Sequence, residues 1–159
     1  MKILVAFESV FGNTEKAARA MAAAYPNQEE IAVLPVASLT PDTLKGVELL
    51  VVGSPTRAFG PWQETKKWMK SLRPASLSGI KVAAFDTRIS VADVNNRFLT
   101  FMVKLFGYAA KPIARAMVRA GGTLMAEPEG FYVAASEGPL KDGELERAAA
   151  WMQAITAKI

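Results

Sequence analysis

The sequence predicts an α/β domain: a three-layer, doubly wound, five-stranded parallel sheet with helices on both faces. Three observations carry that reading. Five short runs rich in β-branched and aliphatic residues show almost no polar alternation, as strands buried on both faces require. Stretches of helical periodicity with recognisable caps separate these runs, and strand–helix alternation of this kind builds right-handed crossovers around a parallel sheet. The 159 residues are 51% hydrophobic and 21% charged. That is the size of one compact domain, residues 1–159, with a real core and with neither repeat nor linker.

The elements follow in order. Ile3–Phe7 is the first strand, ended by Glu8. Asn13–Tyr25 is a helix with Ala17, Ala18, Met21 and Tyr25 on one face and Pro26 as its stop. Ile31–Leu34 is the second strand. Thr40-Pro41 sets a capping residue before a proline at the first helical position, which predicts a short helix to Lys45. Val47–Val52 is the third strand, and Gly60-Pro61 opens a helix whose apolar face holds Trp68, Met69 and Leu72. Lys81–Phe85 is the fourth strand. Ser90-Val91-Ala92-Asp93 reads as a capping box opening a helix that Gly107 ends, and Lys111-Pro112 starts the next. The fifth strand, Gly122–Ala126, resumes at Phe131-Tyr132-Val133 after Glu127-Pro128-Glu129-Gly130, which predicts a bend or bulge. A last helix from Asp142 to Ala157 puts Leu145, Ala148, Met152 and Ile155 on one stripe.

Composition narrows the chemistry. The chain has no Cys and no His, which removes thiolate nucleophiles, Fe–S clusters, the usual base of a serine triad and the commonest transition-metal ligands. No metal site and no catalytic side chain are therefore assigned, and difficult chemistry falls to a bound cofactor. A net charge of +4 is too modest to imply nucleic acid. The apolar run at the start is too short for a signal peptide or a membrane span; with the lack of Cys, a cytoplasmic home is expected.

In doubly wound sheets ligands bind beyond the carboxyl ends of the strands. After the first strand, Ser9, Val10, Phe11, Gly12, Asn13 and Thr14 lead directly into a helix. A helix N-terminus offers unpaired N–H groups and a positive dipole end, which suit a phosphate; Ser9, Asn13 and Thr14 add polar side chains, and Gly12 allows close approach. An ordinary helix cap by Asn13 or Thr14 is the alternative. There is neither a G-x-x-x-x-G-K-[ST] nor a G-x-G-x-x-G motif here, so the loop fits a single terminal phosphate with no cation beside it. After the third strand, Gly53-Ser54-Pro55-Thr56-Arg57-Ala58-Phe59-Gly60 forms a shaped loop in which Phe59 is placed to cover a planar ring, with Trp62 assigned to helix packing. After the fourth, Asp86, Thr87 and Arg88 bring hydrogen-bonding groups to the same edge.

Ser9-Val10-Phe11-Gly12-Asn13-Thr14 resembles the T/S-x-T-G-N-T phosphate loop of the flavodoxin family, with Phe11 where Thr or Ser is common. Gly53-Ser54-Pro55-Thr56 followed by Gly60 is similar to that family's second flavin loop, and Asp86-Thr87-Arg88 falls at the third. Gly138-Pro139-Leu140 with Gly143-Glu144 is a further likeness. The resemblance spans nearly the whole chain. It implies strand order 2-1-3-4-5, of which flavodoxin is the standard instance, and FMN as cofactor. On it, Ser9 to Thr14 wrap the phosphate, Pro55, Thr56, Arg57, Ala58, Phe59 and Gly60 meet one face and edge of the isoalloxazine with Gly60 as hinge, and Asp86, Thr87 and Arg88 hold the other edge.

This chain departs from small carrier flavodoxins in being basic and in lacking a Tyr in the third loop. A cation about 8 Å from a flavin at an effective dielectric near 20 is worth roughly 2 kcal/mol, or about 90 mV for one electron, so Arg57 and Arg88 are expected either to raise the potential or to be spent on solvent or carboxylates. Between Val94 and Ala126 there is no acid but there are Arg97, Lys104, Lys111, Arg115 and Arg119, so the rest of the chain sums to −1. In the same stretch Phe98, Phe101, Met102, Leu105 and Phe106 form one continuous helical face. Packing of that face on the sheet or a neighbouring helix is the ordinary expectation. The alternative is an exposed patch for a partner, a second subunit or an anionic membrane surface. Three functions follow: an electron carrier between redox partners, favoured here; an FMN-dependent NAD(P)H reductase of quinones or other small acceptors; and a flavin-binding module without turnover.

Overall fold

Strands covered on both faces must be apolar on both sides, and the central strands of this sheet are. In the computed structural model, which describes residues 1–159, β1 (Ile3–Phe7) is buried at every position, as is β3 (Leu49–Pro55). They lie side by side in parallel, Ile3 opposite Leu49 through Phe7 opposite Gly53. β2 (Ile31–Pro35) flanks β1, and β4 (Lys81–Ile89) flanks β3. Beyond β4 come two parallel pieces, β5 (Thr123–Leu124) and β6 (Glu129–Val133). The order is β2-β1-β3-β4-β5, with β6 also on β4, so the plan is 2-1-3-4-5 with its fifth strand interrupted where Glu127-Pro128 stands.

Alternation along the strands divides two cores. Ile3, Val5, Leu49, Val51, Ala83 and Phe85 face α1 (Asn13–Ala23), through Ala17, Ala18 and Met21, and α6 (Glu144–Thr156), through Ala148, Met152 and Ile155. Leu4, Ala6, Leu50, Val52, Val82 and Ala84 face α2 (Gln63–Ser71), through Trp68, and α5 (Ala110–Arg119), through Ile113 and Met117. Leu145, expected in the α6 stripe, is exposed instead.

Four expectations are corrected. The turn after Thr40 is not a helix: the Thr40 and Thr43 backbone N–H groups each donate to the other's hydroxyl, at 2.9 and 3.2 Å, closing one turn that cannot propagate. β4 runs four residues past Phe85, so Asp86, Thr87 and Arg88 belong to a strand and not a loop; β3 on one side and β6 on the other supply its ladder partners. The capping box opens only α3 (Val91–Val94), and Asp93 N–H donates to the Ser90 carbonyl rather than its side chain. Asn95 then turns left-handed at φ 45°, and Asn96 caps a separate helix, α4 (Arg97–Phe106), by accepting from Leu99 N–H at 3.1 Å. Finally, the apolar face of α4 does not pack on the sheet. α2 and α5 already cover that side, α4 has no buried residue, and Phe98 is 70% exposed.

Gly53 lies opposite Phe85 in the ladder, and a Cβ there would sit 2.0 Å from the ring, which itself packs edge-on against Phe131 and Trp151. Gly53→Ala is expected to lower stability to urea by about 3 kcal/mol through forced displacement of Phe85, measured as a shift in the unfolding midpoint.

Candidate functional site

The cleft opens at the carboxyl edge between β1 and β3, where the chain reverses its direction of travel across the sheet. Gly12 caps α1 in a left-handed conformation, φ 86°, with no side-chain capping bond. Of the first-turn amides, Lys16 N–H donates to the Gly12 carbonyl and Glu15 N–H to Ser9 Oγ at 3.4 Å. The amides of Asn13 and Thr14 have no partner in the protein; this is the orphan-donor pattern of an anion site. The Asn13 side chain does not cap the helix. Its amide donates to the Glu137 carbonyl at 3.0 Å, and Gly138 leaves it room, since a Cβ there would lie 2.5 Å from Asn13 Oδ1. Thr14 and Thr87 share a buried hydroxyl bond of 2.8 Å that ties the loop to β4.

After β3 the chain makes a two-residue turn. Arg57 and Gly60 exchange both backbone hydrogen bonds, 2.9 and 3.0 Å, around Ala58 at φ 45° and Phe59 at φ 65°. Asn and Gly ordinarily fill such a turn, and each left-handed non-glycine costs on the order of 1 kcal/mol or more. The expected hinge, Gly60, has no positive φ; the strained positions are its two predecessors. Phe59 packs its ring 6.0 Å from Phe106 of α4, and Trp62 starts α2, its N–H on Ser54 Oγ.

The walls of this narrow cleft, about 60 Å³, include Ser9, Val10, Phe11, Asn13, Thr14, Pro55, Thr56, Arg57, Thr87 and Arg88. Ile89, Val133 and Ser136 join them; nothing in their own sequence marks them, because the extension of β4 and its pairing with β6 bring them there. Gly12 shapes the loop, whereas Ala58, Phe59 and Gly60 form the turn beyond the walls. Arg57 lies over the Phe11 ring at 4.9 Å, so the first loop does have a cation beside it. The adjacency of β1 and β3 puts it there, and Arg57 has no carboxylate partner.

Asp86 does not line the cleft. It is wholly buried, with Oδ1 2.5 Å from Arg88 Nε, and its Oδ2 accepts from Arg88 Nη2 at 2.7 Å and from Ala110 N–H at 2.8 Å. Burial pushes its carboxyl up from the usual range while Arg88 and the Ala110 N–H pull it down. Arg88 stacks on Tyr108 at 3.8 Å and crosses Gly130, where a Cβ would lie 2.1 Å from its guanidinium. Glu8, expected only to end the first strand, has a further role: its carboxylate accepts from the Glu64 and Thr65 amides and from the Thr65 hydroxyl, capping α2 from the end of β1. The acid that ends the first apolar run was the available signal.

No protein-family model and no curated protein sequence matches the chain. Solved structures do. A flavodoxin from the domain Archaea superposes with a TM-score of 0.75 at 24% identity, over 99% of this chain and 98% of that one. Flavodoxin 1 from Bacillus cereus gives 0.76 at 17% identity over 100% and 99%. The protein has a flavodoxin-like fold. The flavodoxin, WrbA-like protein from Agrobacterium tumefaciens matches at 0.70 and 18% identity, over 98% and 96%. In the flavodoxin-like order the switch point lies between β1 and β3, and the cleft with its two orphan amides stands there.

Asp86→Ala leaves the Arg88 guanidinium and the α5 amide unpaired, and is expected to destabilise by about 3–5 kcal/mol. Arg57→Ala, on the open side of the same cleft, is expected to cost less than about 1 kcal/mol. Urea unfolding of both variants makes the comparison.

Proposed function

We propose that the chain binds FMN in this cleft and serves as an electron carrier between redox partners. The observation that carries the reading is the pair of unpartnered amides, Asn13 and Thr14, at the switch point of a flavodoxin-like sheet. The residues fit the group. Ser9, Asn13 and Thr14 all line the cleft, and the open Asn13 and Thr14 amides with the Ser9 hydroxyl are donors of the kind a phosphate takes. Arg57 adds a positive charge that no carboxylate cancels, whereas the charge of Arg88 is spent on Asp86. When bound, FMN supplies the electron chemistry that a chain with neither Cys nor His lacks.

A second reading, reduction of quinones or other small lipophilic acceptors at the expense of NAD(P)H, draws support from the exposed apolar side chains beside the cleft turn, where Phe59 meets Phe106.

Reconstitution tests the proposal. Flavin-free protein is expected to quench FMN fluorescence with 1:1 stoichiometry and to bind riboflavin at least 100-fold more weakly. Charge-assisted bonds to phosphate are worth about 1.5–3 kcal/mol each, so Ser9→Ala should shrink that preference about tenfold or more. Absence of quenching would end the reading. Bound FMN should keep its colour when mixed anaerobically with NADH or NADPH alone; rapid bleaching favours the reductase instead.

Loss of the Arg57 charge should lower the potential of bound flavin by up to about 90 mV. Spectroelectrochemical titration of Arg57→Ala against the parent protein reads the shift.

A further inference from the structure

α4 is apolar toward solvent. At about 100° per residue, Phe98, Phe101 and Leu105 fall within an arc of roughly 60°, and they are 70%, 60% and 62% exposed. Leu99 and Val103, on the opposite side, are partly covered by the body of the protein. Arg97 and Lys104 border the apolar arc on one flank, both exposed, and Phe106 stands near the other at 57%. We propose that α4 is an interfacial helix that seats the protein on an anionic lipid bilayer, with Phe98, Phe101 and Leu105 among the acyl chains and Arg97 and Lys104 on the lipid phosphates.

Charge and shape select this occupant. The segment from Val94 to Ala126 carries five basic residues and no acid, and Asp93, the acid just before it, is taken by Lys141. Polybasic character beside an exposed aromatic and aliphatic face is what anionic lipid attracts. A second copy would set Arg97 and Lys104 against an identical basic face. An acidic protein partner would match the charge, but protein interfaces carry about one hydrogen bond per 100–200 Å², and the Phe98, Phe101 and Leu105 arc offers no hydrogen-bonding side chain. No helix is long and apolar enough to cross a membrane, and α4, of 10 residues, would lie in the surface plane. Contact between Phe106 and Phe59 then holds the cleft turn close to the bilayer. The proposal stands independently of flavin binding.

The test is flotation of purified protein, flavin-free and FMN-loaded, with vesicles of phosphatidylcholine alone or with about 30 mol % phosphatidylglycerol. Flotation with the anionic vesicles only, weakening as salt rises, is expected. The double variant Phe101→Ser/Leu105→Ser should bind at least about tenfold more weakly, and Arg97→Gln/Lys104→Gln should lose about tenfold and with it the preference for anionic lipid. All four side chains are exposed or at the surface edge, and unchanged circular dichroism confirms folding. Failure to float with anionic vesicles overturns the proposal. So does undiminished binding by Phe101→Ser/Leu105→Ser, which would leave charge alone. A concentration-dependent dimer dispersed by those same two substitutions, with no flotation, makes the second copy the occupant. Protein that floats but takes up no FMN refutes the flavin reading and leaves this one intact.

Discussion

A carboxylate without access to water organises the working edge of the sheet. Burying Asp86 is unfavourable unless its charge is met, and it is met twice: by the Arg88 fork from two residues along the same strand and by the Ala110 amide. The first contact turns Arg88 into a fixed wall of the cleft, stacked on Tyr108 and seated over Gly130. The second sets the point at which α5 begins. With α5 started there, Ile113 and Met117 lie in the sheet core beside Trp68 of α2, and that face has no room for another helix. α4, by contrast, contributes no buried residue to either core.

Much of this is legible in the amino-acid sequence. Apolar runs without alternation located the strands, and the Glu127-Pro128 interruption marked the split in the fifth. The open amides at the end of the Ser9–Thr14 loop were foreseeable because a helix cannot satisfy its own first N–H groups. What was hidden depends on partners that a one-dimensional pattern does not contain. Asp86-Thr87-Arg88 is polar and reads as a loop, yet β3 and β6 hold it as strand. Phe98, Phe101 and Leu105 have the spacing of a core face, and only the prior occupancy of the sheet by α2 and α5 decides against it. The single helix expected from Ser90 to Gly107 ran through Asn95-Asn96, although one residue that tolerates the left-handed region followed by a good N-cap is the signal of a break.

The cleft combines stiff and strained parts. Its floor is tied by the Thr14–Thr87 hydroxyl pair and by Glu8 reaching across to α2. Its rim is the Ala58–Phe59 turn, which holds two left-handed residues with side chains where glycine or asparagine would cost less. Strain of that kind persists only where the surroundings fix it, and here the double Arg57–Gly60 bond and the Phe59–Phe106 contact do so. The rim is thus the part of the site where left-handed backbone is held in place by its neighbours. It is also the part joined directly to α4.

That junction gives the charge distribution a physical role. Screening confines electrostatic attraction to about 8–10 Å at ordinary salt, so the net +4 of the chain matters less than which residues stand nearest a surface. Arg97 and Lys104 flank the apolar arc itself, while Lys111, Arg115 and Arg119 repeat along the exposed side of the following helix. Everything outside the Val94–Ala126 segment sums to about −1, and a negatively charged plane would orient such a molecule before any side chain inserted. Orientation by charge and retention by phenylalanine are separable effects: the first fades with salt, and the second scales with apolar area. α4 carries the residues for both, on a helix that the rest of the fold leaves uncovered.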